Sequence, residues 1–375
     1  MFIDDLVRNP DEGASFEGFF VNDRNLLSGH KKHRLCHRQT PAMREVHEAI
    51  VGWLRNKKLG LPWATGGASG DSAIKNVRLH QENQFFYLLD IKNAYNAVQI
   101  DRLAILLHFL EFRISVFDLD FFLRRYCSLP QRGRGLVVGA SSSQDLFNLY
   151  AHYLLDRPLS QLCRQNEITY SRYIDDLTFS SRLPIRRSLR RAIRGLIFKA
   201  GFQLSFRKAK LLDINKGPIL LNGIRLSEDR RLSIPNHFRR RVRGLILKAT
   251  WDTSISENVV HGHMGVIKSL QDWNRGRLGR DLDEAYFRFK KIRRVLSGRG
   301  SAWLEIKSTE SFKDFVRFLA SKGVISPDKL SQALALVEGL QAENLVEINI
   351  FWGITEGGLK LEIERPPIWI TSKPS

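Results

Sequence analysis

Cysteine is scarce, with only Cys36, Cys127 and Cys163 in 375 residues. An odd, widely scattered set excludes a disulfide framework and fits no zinc-ligand spacing, so buried, inert thiols are expected. Long uncharged apolar runs are also missing, which excludes a membrane-spanning helix. The chain opens on the acidic Met1-Phe2-Ile3-Asp4-Asp5, unlike a signal peptide, and a soluble cytoplasmic protein is expected. No internal repeat or low-complexity tract is present. The glycine-rich loop Gly66-Gly67-Ala68-Ser69-Gly70-Asp71-Ser72 lacks P-loop spacing and carries no nucleotide-binding signature. Acidic residues are the minority charge, 39 against 59 Lys and Arg, leaving a formal net charge of +20. An excess that large opposes compaction unless a polyanion shares the surface. Nucleic acid is the first candidate and an anionic membrane the second. The length fits two or three domains with ample core.

The sharpest local feature is Tyr173-Ile174-Asp175-Asp176, set within strand-forming residues from Ile168 to Ser180. The pattern predicts a β-hairpin with two carboxylates at its turn. Adjacent carboxylates repel, and a divalent cation removes the repulsion. A solvated Asp-Asp turn is the plainer reading of the pair by itself. A partner tips the balance: Phe85-Phe86-Tyr87-Leu88-Leu89 is a buried-strand pattern ending in Asp90. A strand that delivers a carboxylate at its end can build a metal site, although an Asp there can also cap a following helix. Side chains alternate along a strand, so Asp175 and Asp176 are not expected to share one geometry.

Around this centre, residues 1–29 show no clear periodicity and read as an arm or short helix. The basic segment His30–Arg38 reads as a solvated loop or a phosphate clamp. Pro41 starts an expected helix bearing Met43, Val46, Ile50, Trp53 and Leu54 on one face. His80 by itself reads as a structural histidine. Residues 101–126 read as helical. Glycines 133, 135 and 139 mark a flexible connection, and Ser141 to Gln144 has capping-box form at the start of the next helix. Leu189 to Ala200 carries another apolar stripe, stopped by Gly201. A strand pair surrounds Asn222-Gly223. From Asn236 to about Leu296 the chain reads as all-helical, with arginines and lysines flanking each apolar stripe. Several one-signed helices in succession fit a polyphosphate partner, because like charges at helical spacing destabilise a free helix. Ser297-Gly298-Arg299-Gly300 forms a turn, followed by two helices and two strands joined at Gly357-Gly358.

The set resembles the reverse transcriptases, most closely the bacterial retron-type enzymes, over about His30 to Leu296. Tyr173–Asp176 matches the Tyr-x-Asp-Asp box, with Leu177-Thr178-Phe179-Ser180 as its usual continuation. Asp90-Ile91-Lys92-Asn93-Ala94-Tyr95 is similar to the first catalytic-aspartate motif. Asn76-Val77-Arg78-Leu79-His80 is similar to the retron Asn-Ala-x-x-His segment, behind Gly70-x-Ser72. Gly201-Phe202 with Lys208 resembles a later motif, Asn222-Gly223-Ile224 lies where Val-Thr-Gly is common, and His261–Leu270 resembles a retron thumb helix. Two departures stand out. The family's Pro-Gln-Gly-Ala-Pro-Thr-Ser-Pro loop is here Val137-Val138-Gly139-Ala140-Ser141-Ser142-Ser143-Gln144, with Val138 for the usual Gln. Leu129-Pro130-Gln131 resembles the missing triplet, displaced upstream. Asp71 replaces the usual Arg of Gly-Arg-Ser.

The resemblance implies an α+β right-hand polymerase fold. Fingers and a palm sheet carrying the catalytic aspartates would occupy 1–225, and a helical RNA-binding thumb 226–300. A small α/β extension of unassigned role would occupy 301–375. It implies RNA-directed DNA synthesis with two Mg²⁺ ions held by Asp90, the Ile91 carbonyl and Asp175, Asp176 giving electrostatic support. Tyr95 would exclude a 2′-hydroxyl. Lys32, Arg34, Gly139, Ala140 and Lys208 would contact the incoming dNTP. Arg239, Arg240, Arg243, Lys268, Arg288, Lys290, Lys291 and Arg294 would hold RNA phosphates. The implied partners are a structured non-coding RNA serving as template and primer, its branched DNA product, and an effector protein in anti-phage defence. Another defence-associated bacterial reverse transcriptase and a catalytically silent RNA-binding scaffold are the alternatives.

Overall fold

The computed structural model describes residues 6, 13–24, 31–57, 59–67, 70–110, 114–129, 135–252, 254–273, 280–296, 304–306, 309–321, 326–342, 349–355 and 358–364. The expected Ser297–Gly300 turn lies outside these residues, as do Met1–Asp5, Ala68, Ser69, Pro130, Gln131, Gly133 and Gly357. The chain divides into two compact units, Met1–Phe238 and Arg239–Ser375.

The first unit opens with an antiparallel hairpin of β1 (Phe16–Arg24) and β2 (Lys31–Gln39). This replaces the expected arm or helix and the expected basic loop. The β-favouring aromatics of β1 pair with the basic segment, and Glu17 stands opposite Arg38, a favourable cross-strand charge pair. Helix α1 (Pro41–Asn56) follows, capped by Thr40, whose hydroxyl accepts from the Met43 N–H at 3.4 Å. The short α2 (Ala73–Leu79) is capped by Ser72 in the same way. Strand β3 (Phe85–Asp90) leads through a 3-10 turn at Tyr95–Ala97 into α3 (Ile100–Leu110) and α4 (Val116–Tyr126). The region expected to be helical throughout is thus two helices. Ser115 caps the second by accepting from the Asp118 N–H.

Helix α5 (Ser143–Ala151) runs through a π-helical turn, His152–Asp156, into α6 (Arg157–Gln165). The expected capping box does not form, because tertiary partners take its side chains. Ser141 Oγ donates to Gln39 Oε1 at 3.4 Å and Gln144 turns to Tyr95, while between them Ser142 Oγ bonds His47 Nδ1 and Ser143 Oγ donates to the Val137 carbonyl, each at 2.7 Å. Strands β4 (Thr169–Tyr173) and β5 (Asp176–Ser181) make the expected hairpin. Helix α7 (Arg187–Lys199), β6 (Lys210–Asp213), and the small sheet of β7 (Ile219–Leu221), β8 (Ile224–Leu226) and β9 (Leu232–Ser233) complete the unit.

The central sheet has the order β4-β5-β3-β6, antiparallel throughout. Its two faces differ in chemistry. Tyr87, Leu89, Leu177 and Phe179 join a core with α1 and α3–α7. Ser171, Thr178 and Ser180 are buried on the opposite face, where Asn76 of α2 bonds Ser171 and His80, just after that helix, bonds Ser171 and Ser180.

The second unit begins within α8 (Asn236–Trp251), and this helix and α10 (Arg280–Leu296) bury the stripes expected of them, among them Val242 and Phe289, while α9 (Glu257–Trp273) buries Val260, Met264 and Ile267. Arg293 is an exception to the solvated charged face. It is buried and donates to Glu257 and to the Asp252 and Ile255 carbonyls. Strand β10 (Leu304–Ile306) pairs with β11 (Asn349–Thr355), and β11 with β12 (Gly358–Glu364). Helices α11 (Thr309–Ser321) and α12 (Pro327–Ala342) lie between them in sequence.

Candidate active site

Asp90 ends β3 and stands directly opposite Asp176, the first residue of β5. Directly opposed residues share a sheet face, so the two carboxylates crowd each other and call for a cation. The ammonium of Lys208 takes that place by donating to Asp90 Oδ1. Lys208 lies on a 3-10 turn, Phe206–Lys208, tied to the strand end by the Ser205 N–H donating to the Asp90 carbonyl at 2.9 Å.

Asp175 sits in the two-residue turn between paired Tyr173 and Asp176. Ile174 has φ +57°, and Asp175 is not in the left-handed region. That is the pattern of a type II′ turn, in which glycine normally takes the first position. A β-branched residue there is strained and needs outside support. Arg172 supplies it. Its fully buried guanidinium donates through Nη1 to the Ile174 carbonyl at 3.0 Å and to Asn148 Oδ1 at 2.9 Å. Its Nε and Nη2 fork onto Asp156 at 3.0 and 2.8 Å. Burial disfavours the charge on Arg172, but Asp156, with Tyr170 and Tyr95 adding to its effect, makes the net shift upward. Tyr170 donates to Asp156 at 2.7 Å, and its own pKa is raised, first by burial and then by that carboxylate. On the other side of the turn, the Ile91 N–H donates to the Asp175 carbonyl at 2.9 Å.

Gly66 lies under the turn. A Cβ there would come within 3.0 Å of Tyr173 and 3.1 Å of Ile174, and its carbonyl accepts from Asn148 Nδ2. Burial, then the charges of Asp176 and Asp71, push the Tyr173 hydroxyl pKa up. The buried face of the hairpin is pinned by His80, whose nitrogens bond Ser180 and Ser171, each at 2.7 Å. Burial lowers the His80 pKa to about 3, so the ring is neutral and structural, as expected. Asn76 also donates to Ser171 at 2.7 Å and accepts from Asn222 at 2.8 Å, which joins two of the sequence motifs.

These elements surround a polar cavity of about 830 Å³ lined by Asp90, Ile91, Tyr95, Asp175, Asp176 and Lys208, with Leu35, His37 and Val138 among the other walls. Tyr95 packs on Phe147 at 5.4 Å and donates its hydroxyl to Gln144. Gly139, at φ +106°, lets the loop close on β2, since a Cβ would meet the His37 carbonyl oxygen at 2.7 Å. The His37 N–H donates to the Val138 carbonyl at 2.8 Å, and Ala140 is buried. Lys32 and Arg34 fall on β2 opposite Asp23 and Val21; their side chains lie outside the described structure. In the second unit, Arg240, Arg243, Lys268, Arg288, Lys290 and Arg294 are exposed, and Arg239 and Lys291 are half-buried. Lys268 and Lys290 both lie over the Tyr286 ring, 5.2 and 5.0 Å from its centroid.

Carboxylates and a main-chain carbonyl form a hard-oxygen donor set suited to Mg²⁺. The hydrogen bonds of the Ile91–Leu204 bridge are made by flanking residues, Ser205 to Asp90 and Lys92 to Gln203, so neither uses the Ile91 carbonyl. The Lys208 ammonium on Asp90 marks the position as one that accepts positive charge. Among the described residues, no three or more His, Cys, Asp or Glu side chains converge as a preformed metal cluster. The sequence reading missed Arg172, Asp156, Asn148 and Gln144. One signal was available for Arg172: a charged residue inside a buried strand needs a partner.

An antiparallel sheet that presents three carboxylates to one polar cavity defines the class of site. The reverse transcriptase (RNA-dependent DNA polymerase) family model matches residues 23–217, just over half of the chain, and the chain belongs to that family. Retron Ec83 reverse transcriptase of Escherichia coli is 29% identical over 154 residues, covering 40% of this chain and 49% of the relative. The match thus spans about half of that relative's length. Among solved structures, a Candida albicans telomerase with a TWJ fragment of telomeric RNA gives a TM-score of 0.46 at 11% identity, covering 89% of this chain and 62% of that one. An apo telomerase of Candida tropicalis gives 0.43 at 9% identity, covering 88% and 65%. Among the described residues, no helix is long and apolar enough to cross a membrane.

Proposed function

We propose that the chain is a retron-type RNA-directed DNA polymerase that copies part of a structured non-coding RNA into DNA. The observation that carries this reading is the meeting of Asp90, Asp175 and Asp176 on one cavity in a member of the reverse transcriptase family. The central sheet serves as palm, the segments around β1, β2 and the Gly66 loop as fingers, and the helices after Asn236 as thumb. Asp90, Asp175 and the Ile91 carbonyl would hold Mg²⁺, with Asp176 adding negative potential. Divalent cations bound there supply charge neutralisation for phosphoryl transfer.

The chain's own groups do the rest. The Arg172-anchored turn holds Asp175 in place. Lys208, paired with Asp90, would receive the triphosphate, with Lys32, Arg34, Gly139 and Ala140 as its further contacts. Tyr95 closes the space beneath the sugar against a 2′-hydroxyl. The exposed cations of α8, α9 and α10 contact RNA phosphates, which position a template without reading its sequence. The branched product, the anti-phage role, an effector docking on residues 301–375 and a cytoplasmic setting belong to this reading. Val138 favours a second one, a defence-associated reverse transcriptase with another priming mode.

Mg²⁺-dependent dNTP incorporation on an RNA template should be abolished in Asp175→Asn, and full activity in that variant would sink the metal assignment. Sequencing nucleic acid that co-purifies from the native host separates the two readings. A branched RNA–DNA species supports the retron, and untemplated or protein-linked DNA supports the second.

A further inference from the structure

We infer that Gln144 is a positioning residue that sets sugar selectivity by tethering the ring of Tyr95; this rests on the reading of Tyr95 as the sugar gate. The Tyr95 main chain is already fixed, its carbonyl accepting from the Leu136 N–H at 2.8 Å. Its ring is fixed on one side by Phe147. The remaining freedom is rotation and tilt of the ring toward the cavity, and the hydrogen bond from its hydroxyl to Gln144 Oε1 restrains that motion. A gate that discriminates a single hydroxyl depends on such restraint, because a small displacement of the wall readmits the larger sugar.

The surroundings are shaped to hold this carboxamide. Gly67, at φ +97°, lies so close that a Cβ would stand 2.5 Å from Gln144 Cγ and 2.7 Å from Nε2. The glycine is therefore what leaves room for the side chain. Gln144 Nε2 is buried and finds no acceptor among the described residues. A buried donor without a partner is destabilising, so an apolar side chain of similar size would serve folding at least as well. What glutamine offers at this position is its oxygen, and that oxygen is used on Tyr95. The corresponding residue of the family's loop octet is proline, which has no such acceptor, so the tether belongs to this chain.

The test is single-nucleotide extension on a primed RNA template by the full chain, giving kcat/KM for a dNTP and for the matching NTP. Gln144→Leu removes the acceptor, and Tyr95→Phe removes only the donor and preserves the ring packing. Each should lower the dNTP/NTP ratio by about 2- to 10-fold, the range expected of one hydrogen bond. The double variant should go no lower than either single, because both remove the same bond. The Tm of Gln144→Leu should stay close to that of the parent, because loss of the orphaned Nε2 offsets loss of the Tyr95 acceptor, whereas a purely structural role predicts a clear drop. Tyr95→Ala separates the two layers of the argument. If it loses selectivity and Gln144→Leu keeps the parental ratio, or if the single effects multiply in the double variant, the tether is wrong and the gate stands. If Tyr95→Ala itself keeps the parental ratio, the gate reading falls and the tether falls with it.

Discussion

Arg172 is the residue on which the acidic turn leans. Its guanidinium and the Asp156 carboxylate are both fully buried, so each is tolerable only because the other is present. Arg172→Met leaves Asp156 uncompensated and should destabilise the protein by about 3–5 kcal/mol in urea unfolding. Pairing it with Asp156→Leu should recover much of that loss, because an apolar pair replaces an orphaned charge. Recovery of stability should not bring recovery of activity, since the Ile174 carbonyl still lacks its donor and the strained turn is free to relax. Equal recovery of both would show that the network is structural only. The buried cysteines contrast with this network: burial pushes the Cys127 and Cys163 thiols up to about 12, which leaves them inert, as their scatter in the sequence implies.

At the scale of elements, the acidic hairpin is held on its polar face by the end of α2, and α1 is held against α4, each through a neutral histidine. His47 donates from Nε2 to the Tyr126 carbonyl at 2.8 Å and accepts at Nδ1 from Ser142. Burial lowers its pKa to about 4 despite the opposing effect of the Tyr126 carbonyl. Both folded-state values lie below the ordinary histidine value of 6.5. The unfolded chain therefore takes up protons first as pH falls. The stability contributed by the neutral rings is fully present above about pH 6.5 and is lost progressively toward pH 3–4. At pH 5 each histidine should cost about 2 kcal/mol relative to pH 7. Urea melts at the two pH values measure this, and in His80→Gln the difference should shrink by about the same amount. An unchanged difference would mean that His80 is not buried as neutral imidazole.

For the whole molecule, the net charge of +20 is the dominant long-range property, and in the proposed function it serves RNA binding. Affinity for single-stranded RNA should fall steeply with salt, with a slope of about −0.7 per phosphate neutralised. Replacing Arg240, Arg243 and Arg288 by Gln should weaken binding uniformly across sequences and flatten the slope by about 2, read by fluorescence anisotropy over a salt series. Sequence-dependent loss instead would assign these residues to base contacts.

Much of this protein is written in runs of neighbouring residues. The strand-forming flanks of Asp175 give the hairpin, the apolar run before Asp90 gives the strand, and the apolar stripes after Asn236 give helices, because period and turn chemistry act over a few residues. Charge balance is likewise a property of sequence alone. Local pattern failed where distant segments compete for the same groups. The basic stretch at Lys31–Gln39 became a strand because β1 pairs with it, and the Ser141–Gln144 box was dismantled by Gln39 and Tyr95, which engage its two side chains. Only the tertiary structure placed Asp176 opposite Asp90, set Lys208 on that carboxylate and buried Arg172 beneath Ile174. Those relations join residues far apart in the chain. Strand register and the requirement that buried polar groups find partners fix them, and neither is encoded in any single stretch.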